Sequence, residues 1–292
     1  MIDEKNYEKY MEIALEEAKQ SLKEGNKGFG AVIIKNDKIL GQSHDTEITE
    51  NDPTAHAEIN VIKSVSRVLG RDLQNCILLS THEPCPMCMT AIIWAKISEL
   101  VYSVSIEDSL KQGRNMINIR CKEIKLRSKA NITIKKGILK KKCLILYNPK
   151  IREYIQKFRV ATSQDWKNYE KELTERRKKW FLENKAQIDK LRGSDVEKAY
   201  KVLIMKLKIN ETEAPIIEIS DFKLVFHSKN SCASLEACKI LDLDTRIICK
   251  KIFERSTEEF IKMLNPKLRF SRNYNSIRPY ADYCEEIIYL DN

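Results

Sequence analysis

Thr81-His82-Glu83-Pro84-Cys85-Pro86-Met87-Cys88 stands where an apolar run, Cys76-Ile77-Leu78-Leu79, gives way to Thr90-Ala91-Ile92-Ile93-Trp94-Ala95. The first run has the composition of a buried strand and the second that of a helix. Proline on either side of Cys85 stops the strand and suits a first helical turn, so both thiols fall at a helix N-terminus. That end of a helix lowers a thiol pKa and favours the thiolate, the form that binds metal. Two cysteines at this spacing fit a redox pair or half of a structural zinc site.

The segment Pro53-Thr54-Ala55-His56-Ala57-Glu58 decides between these. His56, Cys85 and Cys88 would give three ligands and leave a tetrahedral zinc one open position for water, which marks a catalytic site rather than a structural one. Zinc lowers the pKa of such a water from 15.7 towards roughly 7. Glu58 is the carboxylate placed to move protons, a general acid/base and not a ligand. Together the two segments match the H-x-E…P-C-x-x-C signature of zinc-dependent base deaminases. A four-cysteine structural site would need a second close pair, and none occurs nearby. Residues two apart do not share a helix face, so His56 and Glu58 converge only at an irregular helix start. Asp52 as cap and Pro53 in the first turn are expected to supply that start.

At 292 residues the chain is long enough for one large domain or two ordinary ones. No stretch approaches the roughly 20 apolar residues of a membrane span. Met1-Ile2-Asp3-Glu4-Lys5 lacks the basic and apolar blocks of a signal peptide. Nine cysteines scattered through apolar runs suit a reducing cytoplasm. The net charge of +10 is unevenly placed, with 11 basic and 18 acidic side chains in residues 1–110 but 13 basic against 1 acidic in 111–150. Such a band can bind phosphate backbones, and a solvated lysine-rich face is the commoner reason for one.

Residues 5–24 carry apolar positions at helical spacing, and Gly25 ends that helix. Phe29–Ile34 and Lys38–Gly41 flank Asn36-Asp37 as a hairpin, and a Pro53–Leu69 helix closed by Gly70 follows. A Cys76–Ser80 strand, a Pro86–Lys96 helix and a Leu100–Val104 strand complete an α/β pattern, a sheet with helices on both faces. The lysine-rich stretch ends at Asn148-Pro149, and 149–192 reads as a linker of long, charged, aromatic-bearing helices. Residues 193–292 read as a smaller α+β domain, with helices at Asp195–Leu207, Ala233–Leu241 and Thr245–Leu264 and strands at Pro215–Ile219, Lys223–His227 and Glu286–Leu290.

Residues 1 to about 148 resemble the cytidine deaminase-like superfamily, in the branch holding guanine deaminases, tRNA adenosine deaminases and related nucleoside deaminases. Asn51-Asp52-Pro53-Thr54-Ala55-His56-Ala57-Glu58 and Glu83-Pro84-Cys85-Pro86-Met87-Cys88 carry the likeness. Phe29-Gly30-Ala31-Val32 and Ala91-Ile92-Ile93-Trp94-Ala95 resemble guanine deaminase in particular. The resemblance implies a three-layer helix-sheet-helix domain with a mixed sheet, a Zn2+ cofactor, and a free purine base or nucleoside as substrate. Adenosine in tRNA is the alternative, and a non-catalytic zinc-stabilised ligand-binding protein is another. Substrate contacts are then expected from Phe29, Ala31, Asp45, Ala57, Glu83 and Trp94, in a homo-oligomer.

At one position the chain leaves that branch. Eleven residues before the zinc histidine the family has an asparagine whose amide grips the base, and here Asp45 stands there. An ionised carboxylate only accepts hydrogen bonds, so either Asp45 is protonated, the loop shifts by a residue so that His44 serves, or the substrate presents an N–H there. Glu107 or Asp108 stands where an acid at the rim could be supplied. In the second domain, Ser231–Cys238 with Leu243-Asp244-Thr245-Arg246 faintly resembles the aminothiazoline-carboxylate hydrolase family, which would draw attention to Cys232 or Cys238.

Overall fold

A computed structural model describes residues 4–291; Met1-Ile2-Asp3 of the N-terminal stretch read above lies outside them. The chain divides into two compact units, one up to Arg159 and the other from Val160. The helical segment 149–192 is shared between them: Pro149–Arg159 belongs to the first and Ser163–Glu183 to the second.

In the first unit, α1 (Glu4–Glu24) is followed by β1 (Gly30–Lys35), β2 (Lys38–His44), α2 (Ala57–Leu69), β3 (Ile77–His82), α3 (Pro86–Trp94) and β4 (Glu99–Val104). Then come α4 (Ile106–Lys111), α5 (Cys121–Ser128), β5 (Thr133–Lys136), α6 (Lys140–Ile145) and α7 (Pro149–Arg159). The sheet runs β2-β1-β3-β4-β5. β1 is antiparallel to both neighbours, whereas β3, β4 and β5 are parallel, so the sheet is mixed.

Alternation along the strands sends two apolar sets to opposite faces. Ala31, Ile33, Leu78, Leu100 and Tyr102 pack with Val61 and Val65 of α2 and Met89 and Ile92 of α3. Val32, Ile34, Leu79 and Val101 are fully buried on the other face, where α1 lies against β1 and β3 and α6 against β4. Gly30 permits the fit of α1, since a Cβ there would stand 2.0 Å from the Ala14 carbonyl oxygen.

One expected boundary moves. The second helix starts at Ala57, not Pro53, and His56 is its extended N-cap residue (φ −74°, ψ 153°). Asp52 turns its carboxylate onto the Thr54 backbone N–H and hydroxyl, closing a tight turn before the helix rather than capping it.

The second unit holds α8 (Ser163–Glu183), α9 (Lys185–Ile188), α10 (Asp195–Leu207), β6 (Ile216–Ile219), β7 (Lys223–Ser228) and α11 (Ala233–Leu241). Next come α12 (Thr245–Ile248), a π-helical segment (Cys249–Glu254), α13 (Arg255–Ile261), β8 (Leu268–Arg272) and β9 (Cys284–Leu290). Its antiparallel sheet runs β6-β7-β9-β8, and β8 was absent from the sequence reading. One face buries Leu224, Phe226, Leu268, Phe270 and Ile288 against Val196, Ala199, Tyr200 and Leu203 of α10, Phe181 of α8 and Phe260 of α13. The helix expected over Thr245–Leu264 runs without a gap from Thr245 to Ile261 and carries the π segment within it.

Candidate active site

Two helix N-termini meet at the end of β3. Cys85 is the extended N-cap of α3, Pro86 occupies the first helical turn and Cys88 follows in it. His56 caps α2, which places its ring across from both thiols. Its Nδ1 lies 3.6 Å from Cys85 Sγ and 3.4 Å from Cys88 Sγ. A tetrahedral ion with M–N near 2.1 Å and M–S near 2.3 Å would hold N and S about 3.6 Å apart, so the donor set already has the spacing of a zinc site. Among the described residues this is the one group of three or more His, Cys, Asp or Glu side chains with ligand atoms all within 4.8 Å.

The electrostatics fit a cation. The hydrogen bond from the Cys88 thiol and the neighbouring imidazole pull the Cys85 pKa down. The same shared bond, together with burial, pushes Cys88 up. The bond to Cys85 raises His56, and the Glu58 and Glu47 charges add to that. The far ring nitrogen of His56, Nε2, is 3.5 Å from Glu47 Oε2, and Lys27 Nζ sits 2.6 Å from the same carboxylate. The carboxylate stands behind the ring without a hydrogen bond to it. Glu47 had no sequence signal, because the loop 45–56 alone brings it back to His56.

Glu58 lies in the first turn of α2, buried, with Oε1 accepting from Ser80 Oγ at 2.9 Å. Burial raises its pKa and the Cys85 charge adds to the rise. The Glu58 charge in turn helps push the Cys88 thiol up. Ser80, a small polar residue at a buried strand position, was the available signal for this support.

Beyond them, Phe29, His82 and Tyr147 form a three-ring cluster with centroids 5.3–5.5 Å apart. The Arg114 guanidinium lies 5.1 Å from the Phe29 ring centre and 4.8 Å from that of Tyr147. Tyr147 donates to Thr81 Oγ1 at 2.9 Å, which ties this cluster to the strand residue next to Ser80. Neither Arg114 nor Tyr147 stood out in the sequence.

Several expected substrate contacts are placed elsewhere. Asp45 is fully buried; its Oδ1 accepts from Ser21 Oγ and the Phe29 N–H, and its Oδ2 from the Lys27 N–H. Three donors thus occupy the carboxylate, which braces the loop before β1 instead of facing a base. His44 is not the substitute, since its ring bridges Glu17 and Glu24. Glu83 is likewise a brace, accepting from the backbone N–H of Ile106 and of Cys121. Ala31 and Ala57 are fully buried in the core, and Trp94 is 70% exposed. Asp108 closes a capping box with Ser105, and Glu107 pairs with Lys111. Of the expected contacts, Phe29 remains at the edge of the site, half-buried.

Comparison with known proteins bears on this arrangement. The profile for the cytidine and deoxycytidylate deaminase zinc-binding region matches residues 4–104. Guanine deaminase of Bacillus subtilis is 39% identical over 110 residues, which are 37% of this chain and 70% of that protein. The chain belongs to this deaminase family. A tRNA-specific adenosine deaminase of Aquifex aeolicus is 37% identical over 97 residues, 33% of this chain and 64% of its own length. That of Bacillus subtilis is 30% identical over 155 residues, 53% of this chain and 94% of its own length. As a member of the family the chain is a hydrolase acting on cyclic amidines, with zinc as cofactor. No helix among the described residues is long and apolar enough to cross a membrane.

Proposed function

We propose that the chain deaminates a free purine base or nucleoside, with His56, Cys85 and Cys88 holding zinc and Glu58 moving the protons. The observation that carries the reading is the Glu58 carboxylate, buried, with its pKa raised, held by Ser80 and set against the cysteine pair. A zinc kept only for structure has no use for such an acid. When bound, the metal supplies an activated water by lowering its pKa towards roughly 7. Glu58 accepts a proton from that water and returns protons to the ring nitrogen and the departing ammonia, so the exocyclic amine is exchanged for a carbonyl. The Ser80 hydroxyl fixes the carboxylate for both transfers, and burial raises its pKa.

A small substrate is favoured over tRNA by the state of the lysine band. Lys135 pairs with Glu99, Lys140 with Asp108 and Lys142 with Glu12, so these charges are engaged within the chain. Phe29, half-buried at the edge of the site and backed by His82 and Tyr147, offers an aromatic ring suited to a purine. The tRNA-specific relatives keep adenosine in tRNA as the second reading. All nine cysteines are free, in keeping with a cytoplasmic setting, which is part of the same proposal. Ammonia release from a panel of bases, nucleosides, pterins and deacylated tRNA is the test. Turnover of a free purine or its nucleoside supports the proposal, and turnover of tRNA alone overturns it.

A further inference from the structure

The helix-facing side of the second unit's sheet changes character at one end. Leu224 and Phe226 of β7, Leu268 and Phe270 of β8 and Ile288 of β9 are core residues. Two residues further along the same face each strand turns polar, to Ser228, Arg272 and Glu286, with Cys284 beyond. Register confirms the row: Glu286 is opposite both Phe226 and Arg272, and Cys284 is opposite Ser228. On the helix side, Thr245 and Cys249 are four apart and share a face, and Cys232 caps α11. The Arg272 N–H donates to Glu254 Oε2 at 3.2 Å, which sets the π segment carrying Cys249 against this end of the sheet.

This place holds hydrogen-bonding groups that nothing in the chain satisfies. Ser228 Oγ, Thr245 Oγ1, Arg272 Nη1 and Arg278 Nε have no partner, four of the eight such buried side-chain atoms among the described residues. Ser228 is 4% exposed and Thr245 2%, and the Arg272 side chain is 10% exposed. Arg278 reaches the entrance of α11, donating from Nη1 to the Asn230 carbonyl at 2.8 Å. The nine-residue α11 has no side-chain cap at its N-terminus. Glu286 answers only Nε of Arg272, at 3.1 Å, and Glu254 is engaged by the Arg272 N–H and the Tyr274 hydroxyl.

Arginine N–H groups can only donate, hydroxyls can donate, and the first turn of a helix presents N–H groups and a positive end. Buried donors are seldom left without an acceptor. Unpaired donors gathered at one end of the unit, two of them guanidinium, match an acceptor-rich anion better than they match water. A π segment interrupting a helix also recurs at functional sites, and here it carries Cys249. We propose that this end of the second unit binds a small-molecule oxyanion, a carboxylate or a phosphate, through Arg272, Arg278, Ser228, Thr245 and the first turn of α11. The site is built wholly from residues of the second unit, and its occupation does not depend on deamination.

Calorimetric titration of the full zinc-loaded chain, at ionic strength fixed with chloride, tests this with inorganic phosphate in one arm and succinate in the other. Saturable binding in either arm is expected and names the oxyanion. Arg278→Gln and the near-isosteric Thr245→Val should each weaken it by roughly ten-fold or more, as loss of a bond to a charged ligand does. These two are preferred to Arg272 variants, which would strand Glu286 and endanger folding. In the wild-type chain the anion should also slow alkylation of Cys232 and Cys284 by iodoacetamide, a readout local to the site. The proposal is overturned if neither anion saturates, if both variants bind as the wild type does, or if the bound anion leaves both cysteines equally reactive.

Discussion

Asp45→Asn separates two accounts of the residue that departs from the family pattern. If the carboxylate faced the substrate, the change would alter base selectivity and leave stability alone. In the structure it does the opposite work, accepting from Ser21 Oγ, the Phe29 N–H and the Lys27 N–H while fully buried. An amide with its oxygen kept on Ser21 and Phe29 turns its NH2 towards the Lys27 N–H, which then lacks an acceptor. Stranding one buried N–H costs about 1–3 kcal/mol, and the two remaining bonds weaken on losing a charged acceptor. A total of about 2–4 kcal/mol corresponds to a fall in Tm of roughly 5–15 °C for a unit of this size. Thermal unfolding followed by zinc release into a chromogenic chelator reads the deaminase unit alone. The ratio of kcat/KM for guanine to that for the best panel substrate should stay within about two-fold of wild type, well under the 1.4 kcal/mol of a ten-fold change. A Tm within a degree of wild type together with a shifted ratio would refute the bracing role.

Cys85→Ser and His56→Ala should each lose the single zinc that metal analysis finds in the wild-type chain; a full equivalent in both would rule out this ligand set. Burial holds His82 neutral, its pKa pushed down to about 4 from 6.5, with Nδ1–H donating to the Glu83 carbonyl and Nε2 accepting from Ser109. The unfolded chain therefore takes up a proton between pH 6.5 and about 4 that the folded chain refuses, and stability falls by about 3 kcal/mol as pH drops through that window. Urea unfolding at several pH values should show this slope, and His82→Gln should flatten it; an unchanged slope would mean other groups carry it. Neutralising Lys140, Lys141 and Lys142 should leave the salt dependence of activity unaltered, whereas a tRNA substrate would lose roughly 0.7–0.9 from the log–log slope per contact removed.

The metal triangle was legible in the sequence because each of its two pieces is local: a cysteine at a helix cap with another three residues on, and a histidine two residues before the acid. Most of the strands and amphipathic helices of both units were legible for the same reason, β8 being an exception. Asp45 and Glu83 are hard to place from sequence because a carboxylate beside a catalytic motif looks the same whether it faces a ligand or backbone. Their partners, the Phe29 and Lys27 amides for one and those of Ile106 and Cys121 for the other, are fixed by loops that no periodicity describes. The start of α2 was placed early because Asp52-Pro53 carries a strong helix-start signal, which the local Asp52–Thr54 turn consumes. Arg272 and Ser228 were invisible as a pair until the strand register set them on one face.

The central claim is that Glu58 moves the protons and holds neither the metal nor the fold. Glu58→Ala, assayed for zinc content, melting and ammonia release on the best panel substrate, addresses it directly. The account predicts one zinc per chain, a folded deaminase unit and turnover reduced by at least ~10² to 10⁴. Near-normal ammonia release from the zinc-loaded variant would contradict it, because another group would then be moving the protons.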